Sequence, residues 1–134
     1  MNFVKLQILG IGENLRLRMK LVKFAEAKPY DPPRHFNMVA LRLHHRDTTG
    51  TKSFWVGLSH YLPGGGAESS VNDSDKVYVM LSGKLTIITE DGREIVLEPF
   101  DSLYIEAGEK RGIINKTNMP ATMLVISAYP EKKG

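Results

Sequence analysis

Apolar and polar side chains alternate with a period of two along most of this chain, and no segment carries the repeat of a long amphipathic helix. Successive strand residues point to opposite faces, so this alternation builds sheets with one apolar face. Ten segments fit: Phe3–Leu9, Leu17–Phe24, Met38–His44, Phe54–Leu62, Val77–Leu81, Lys84–Thr89, Glu94–Leu97, Ser102–Ile105, Gly112–Asn115 and Ala121–Ala128. Most are rich in the β-branched and aromatic residues that suit a pleated surface. In Glu90-Asp91-Gly92-Arg93 the Asp-Gly pair can supply the positive φ angles of a tight hairpin, and Pro63-Gly64-Gly65-Gly66 reads as a further loop. Many short strands at close spacing, each stopped by Gly, Pro or Asp, predict an all-β sandwich or barrel instead of an α/β sheet. Between Ala27 and Arg34, Pro29, Pro32 and Pro33 remove ladder donors, so this stretch is read as an extended arm and not as a central strand.

A chain of 134 residues is the size of one domain. Its 42% hydrophobic and 25% charged residues are those of a globular protein, with no apolar run long enough to span a bilayer. Cysteine is absent, so disulfides and thiolate metal sites are excluded and any metal must use His, Asp or Glu. The N-terminus shows no small-residue cleavage site after its short apolar stretch, which gives a cytoplasmic reading. Residues 1–52 hold ten Lys/Arg against four Asp/Glu, a balance of +6, whereas residues 53–134 hold eight against eleven, a balance of −3. The basic residues alternate with apolar ones and form no dense block with aromatics, which argues against nucleic acid as partner. Complementarity between a basic arm and an acidic barrel of two subunits is the better use of that asymmetry.

From Pro63 onward two spaced segments stand out: Val77-Tyr78-Val79-Met80-Leu81-Ser82-Gly83, an apolar strand ending in glycine with Ser70, Asn72 and Lys76 before it, and Phe100-Asp101 followed by Gly108, Arg111 and Asn115. In these residues the chain resembles the cupin family. The first family motif runs Gly, five residues, His-x-His, three or four residues, Glu, six residues, Gly. Val77-Tyr78-Val79-Met80-Leu81-Ser82-Gly83 looks like its apolar strand ending in glycine, and counting back from Gly83 puts Lys76 at the glutamate position and Ser70 and Asn72 at the two histidines. The second motif resembles Phe100-Asp101-Ser102-Leu103-Tyr104-Ile105-Glu106-Ala107-Gly108-Glu109-Lys110-Arg111 followed by Asn115. There Asp101, Gly108 and Asn115 agree, while Phe100 replaces a glycine, Glu106 a proline, and Arg111 the histidine ligand. The resemblance covers roughly Phe54 to Ala128. It implies a double-stranded β-helix, or jelly-roll, barrel over residues 35–134, preceded by an N-terminal extension and Pro-rich arm over residues 1–34 that forms a homodimer. Residues 1–18 are expected to lie outside the barrel.

The substitutions change what the pocket can do. A divalent metal needs several imidazoles or carboxylates converging on one point, and Lys76 and Arg111 put two positive charges there instead. No metal and no cofactor are therefore expected at the usual position. The same two cations suit an anionic group, with Arg111 gripping a carboxylate or phosphate, Lys76 adding a point charge, and Ser70 and Asn72 adding hydrogen bonds. The ordinary expectation runs the other way: Lys76 paired with Asp73 or Asp75, Arg111 with Glu109 or Glu106, all solvated at the barrel mouth. Tyr78 should share the inward face with Lys76 and Met80.

His60 is a further ligand-lining candidate on the strand entering the first motif, although a lone histidine on an apolar face is more often structural. Alternation puts Phe54, Val56, Leu58, His60 and Leu62 on one face and Trp55, Gly57, Ser59 and Tyr61 on the other. A relocated metal site built from His44, His45 or His60 stays open. Three function classes follow: a module that binds a small organic molecule in the barrel without metal, a metal-independent isomerase or decarboxylase using Lys76 as base or Schiff-base amine, and an oxygenase with relocated ligands. The binding module leads.

Overall fold

In the computed structural model, residues 18–130 are described, and they form nine strands with one short 3-10 turn at Phe24–Glu26. The strands are β1 (Lys28–Tyr30), β2 (His35–His44), β3 (Phe54–Ser70), β4 (Lys76–Ser82), β5 (Leu85–Thr89), β6 (Glu94–Leu97), β7 (Ser102–Ile105), β8 (Arg111–Ile114) and β9 (Ala121–Ala128). They hydrogen-bond in the order β6-β5-β8-β3-β9-β4-β7, with β2 added on β3 and β1 on β2, and every pairing is antiparallel. This is an all-β jelly-roll barrel, as the alternation predicts. None of the helical segments is long and apolar enough to cross a membrane among the described residues.

The strand that closes the barrel is β3. Its first half, Phe54 to Tyr61, pairs with β9, and its second half, from Gly66 to Ser70, pairs with β8. One strand thereby serves both walls and turns a corner between them. Pro63-Gly64-Gly65-Gly66, read above as a loop, lies inside this strand. The reason is close approach. A Cβ on Gly65 would sit 2.1 Å from the Asn37 carbonyl oxygen, and one on Gly66 only 2.0 Å from that of Ile113. Glycine here lets three backbones meet at the corner instead of breaking the strand.

Further boundaries move. The strand foreseen over Leu17–Phe24 is not formed in its described part: residues 18–23 are irregular and Phe24–Glu26 is the 3-10 turn. Strand β2 starts at His35, three residues before the expected Met38, because it pairs with the far half of β3 through His35↔Ala67 and Phe36↔Gly66. Within the arm, β1 is an edge strand, where Pro29 forfeits no interior ladder bond. The strand expected over Phe3–Leu9 and the status of residues 1–17 lie outside the described residues.

Motif residues read as structural behave so. Phe100, standing where the family has glycine, takes φ +71 and leaves its ring in solvent. Asp101 accepts the Glu98 backbone N–H at 2.9 Å, holding that turn. Asn115 is fully buried; its Nδ2 donates to the carbonyls of Tyr61 and Met119, and its Oδ1 accepts from Thr117. The core, built around Tyr61, Tyr78, Met80, Leu85, Ile87, Ile105, Ile113 and Met123, fills one end of the barrel and leaves the other hollow.

Candidate functional site

The hollow end is a cavity of about 300 Å³. The inward face of β3 gives it Trp55, Ser59, Tyr61, Ala67 and Ser70; β4 gives Lys76 and Tyr78; β8 gives Arg111 and Ile113. Its outer wall is the arm, Tyr30 to Arg34, continued by His35 and Arg42 of β2, with Glu68 and Asn72 beside them. Five of the six residues singled out in the sequence, Ser70, Asn72, Lys76, Tyr78 and Arg111, therefore line one space.

His60 does not. It sits on the opposite face of β3, where its Nδ1 is 2.9 Å from the Thr122 hydroxyl and its ring meets Phe24 edge-on. Strand parity explains this: Trp55, Ser59 and Tyr61 point inward, so residue 60 must point out. His44 and His45 bond elsewhere, to Thr49 and to Arg42. Among the described residues no three His, Asp or Glu side chains gather at one point. The positions where the family holds its metal carry an alcohol, an amide and two cations, a donor set that does not fit a divalent ion.

Arg111 is the centre of the site. It is 9% exposed. Its Nε and Nη2 donate to the Tyr78 hydroxyl at 3.1 and 2.9 Å, and Nη1 donates to the Ser70 carbonyl at 3.1 Å. With the Asn72 amide turned so that its oxygen faces the guanidinium, Nη1 and Nη2 also donate to it at 2.8 and 2.6 Å. All five N–H groups are then used, every one on a neutral acceptor. The pairs expected with Glu106 or Glu109 are not formed, and neither is a pair of Lys76 with Asp73 or Asp75. Asp75 is occupied by the Ala107 backbone N–H at 2.8 Å. Ser70, moreover, contributes its backbone and not the hydroxyl to the guanidinium.

Lys76 lies beside this charge, with its ammonium 5.0 Å from the centroid of Trp55. Burial and the Arg111 charge lower its pKa to about 8, against a weaker pull from Asp73. Burial raises the Tyr30, Tyr61 and Tyr78 phenols, so these hydroxyls stay protonated.

Sequence reasoning missed His35. Its Nδ1 lies 2.8 Å from the Pro33 carbonyl oxygen, which can only accept, so the proton sits on Nδ1 and the neutral ring keeps a bare Nε2. Burial, together with Arg111, Lys76 and Arg34, lowers its pKa. A β-bulge between Phe36 and Met38 breaks the parity that would have placed it, so alternation read back from Met38 gives no signal.

Together the fold and pocket define a single-domain jelly-roll barrel with an open, aromatic-walled and cationic interior. The chain belongs to the cupin domain family, whose model matches residues 57–127. It is 43% identical over 112 residues to a Mycobacterium tuberculosis (strain ATCC 25618 / H37Rv) protein named beta-D-galactosidase Rv1717, covering 84% of this chain and 96% of that one. Among solved structures, it resembles the polyketide cyclase RemF from Streptomyces resistomycificus at a TM-score of 0.74 and 18% identity, over 82% of this chain and 79% of that one. A sugar phosphate isomerase from Silicibacter pomeroyi matches at 0.68 and 24% identity, over 83% and 76%. At such identities these two structures speak for the fold alone.

Proposed function

We propose that the barrel binds a small carbohydrate-derived anion, a sugar acid or sugar phosphate, without a metal. The observation that carries this is a buried guanidinium whose hydrogen-bond partners are all neutral, set beside an amine that forms no ion pair among the described residues and feels only a weaker pull from Asp73. Keeping two like charges desolvated side by side with no carboxylate in direct contact is costly, and an anionic ligand relieves that cost. Because the N–H groups of Arg111 are taken, Lys76 is the direct donor, and Arg111 supplies fixed charge from behind. Flat aromatic walls at Trp55, Tyr30 and Tyr61 suit the C–H face of a sugar ring. The name of the 43% identical relative points to a sugar, though not to an anionic one.

Calorimetric titration with galacturonate, galactose 6-phosphate and galactose tests this. The two anions should bind at least about tenfold more tightly than neutral galactose, a difference of about 1.4 kcal/mol. Equal affinity for all three, or no binding by either anion, overturns it.

A second reading has its own observation. Asp31 and Glu68 are the carboxylates that line the cavity among the described residues, and glycoside cleavage works through two carboxyl groups flanking the scissile bond. Under this reading the chain hydrolyses β-galactosides, the activity in its relative's name. Release of nitrophenol from an aryl β-galactoside, lost in both Asp31→Asn and Glu68→Gln, would support it. Hydrolysis that survives both substitutions would remove these residues from the reaction.

A further inference from the structure

We infer that Lys76 is a carbonyl-trapping amine, forming an imine with the aldehyde or ketone carbon of an anionic open-chain sugar or oxo-acid held in the cavity. The inference rests on the anion pocket proposed above and adds a covalent step to it.

Position is the first argument. Lys76 opens β4, locked by pairing to Ile105 on one side and Ser127 on the other, so its Cα cannot drift. Its side chain enters the cavity and lies along the Trp55 ring, which sets the direction of the amine. No carboxylate lies within 4 Å of the amine among the described residues, so no ion pair holds the proton on nitrogen. Burial first, and then the like charge of Arg111, fixed by Tyr78, Ser70 and Asn72, work to expel that proton against the weaker pull of Asp73. Attack on a carbonyl needs the free base. With a pKa of about 8, roughly one lysine in ten is neutral at pH 7, against fewer than one in a thousand at the ordinary value.

The ligand's anionic group supplies the second argument. Drawn toward the Arg111 charge, it sets a neighbouring carbonyl carbon against the amine beside that charge. The nitrogen lone pair forms the C–N bond while the carbonyl π pair moves to oxygen, which takes a proton. Nitrogen then loses a proton, the carbinolamine hydroxyl leaves as water with a proton as the C=N bond forms, and loss of the remaining N–H proton from the iminium leaves the neutral imine. One carbonyl and one amine give one imine and one water, with no redox change. His35 lines the same cavity, and with its Nδ1 committed to the Pro33 carbonyl, Nε2 is the ring atom left to accept and return the proton.

The test uses the full chain, glyoxylate as probe and sodium cyanoborohydride to fix the imine, followed by peptide mass spectrometry. The expected result is one dominant reduced adduct per chain, on Lys76, with a labelling rate that rises through about pH 8. Lys76→Arg, which keeps the charge, should bind the anion and lose the adduct. Arg111→Met should move the midpoint of the pH–rate curve upward. Labelling spread over the surface lysines, or a wild-type rate profile indistinguishable from theirs, overturns the inference.

Titration with galactonate, an anion without an aldehyde or ketone, separates the two proposals. Galactonate binding with no Lys76 adduct refutes the imine and leaves the pocket reading intact. A Lys76 adduct with the neutral probe formaldehyde, together with no galactonate binding, supports the amine chemistry and refutes the anion pocket.

Discussion

Tyr78→Phe isolates the hydrogen bonding on which the cationic pocket depends. Phenylalanine keeps the ring volume in a site where Tyr78 is 2% exposed, so no cavity opens and the aromatic packing is retained. What disappears is one oxygen that accepts from both Nε and Nη2 of Arg111, at 3.1 and 2.9 Å. Hydrogen bonds to charged donors contribute about 1.5–3 kcal/mol, and a buried donor left bare loses its hydration as well. Two such donors sharing one acceptor set the expected loss at about 2–3 kcal/mol. For a domain of this size that is a fall in Tm of roughly 8–12 °C. Urea unfolding, read by both fluorescence and circular dichroism, should give a lower midpoint with an unchanged slope. The deficit should shrink when a binding anion is saturating, because the ligand restores an acceptor and binds only the native state. A loss below about 0.5 kcal/mol would show that Arg111 is hydrated or reoriented, and would refute the picture of a guanidinium held by neutral partners.

Two further outcomes follow from the same geometry. Lys76 releases its proton near pH 8 in the fold but only near 10.5 when unfolded, so between those values the unfolded chain binds more protons. Stability should therefore rise with pH from about 8 toward 10, and Lys76→Met should flatten that slope while stabilising the protein at pH 7 by about 1–2 kcal/mol, measured by urea unfolding at a series of pH values. At the β3 corner, Gly66→Ala would place a methyl 2.0 Å from the Ile113 carbonyl oxygen. The two strands must part there, and a loss of about 3 kcal/mol or more in thermal unfolding is expected, with the Gly92→Ala hairpin-turn variant as an open-space comparison that carries only its positive-φ cost of about 1 kcal/mol.

Much of the barrel was legible because strand periodicity is local. A β-strand repeats every two residues, so Val77–Leu81, Glu94–Leu97, Ser102–Ile105 and Ala121–Ala128 could be marked within a residue of β4, β6, β7 and β9. The failures occurred where a local rule met a distant backbone. Gly64 to Gly66 read as a loop because glycine usually breaks a strand, yet here glycine admits the Asn37 and Ile113 backbones. Leu17–Phe24 alternates like a strand, but its described part finds no partner edge and stays irregular. His60 was placed on the wrong side for a ligand because periodicity separates two faces without saying which one is inside.

Sequence alone determined the strand pattern, the two motif spacings and the identity of four altered residues, since each of these is a property of order along the chain. Whether those residues meet depended on β3 pairing with β9 along one half and β8 along the other, which carries Ser70 to Arg111 and folds Lys76 in beside them. Only that long-range closure decided that Arg111 would be held by Tyr78, Ser70 and Asn72 instead of by Glu106 or Glu109. It also decided that His35 would join the pocket and His60 would not, because a side chain's partners are set by which strands lie next to it and not by its neighbours in sequence.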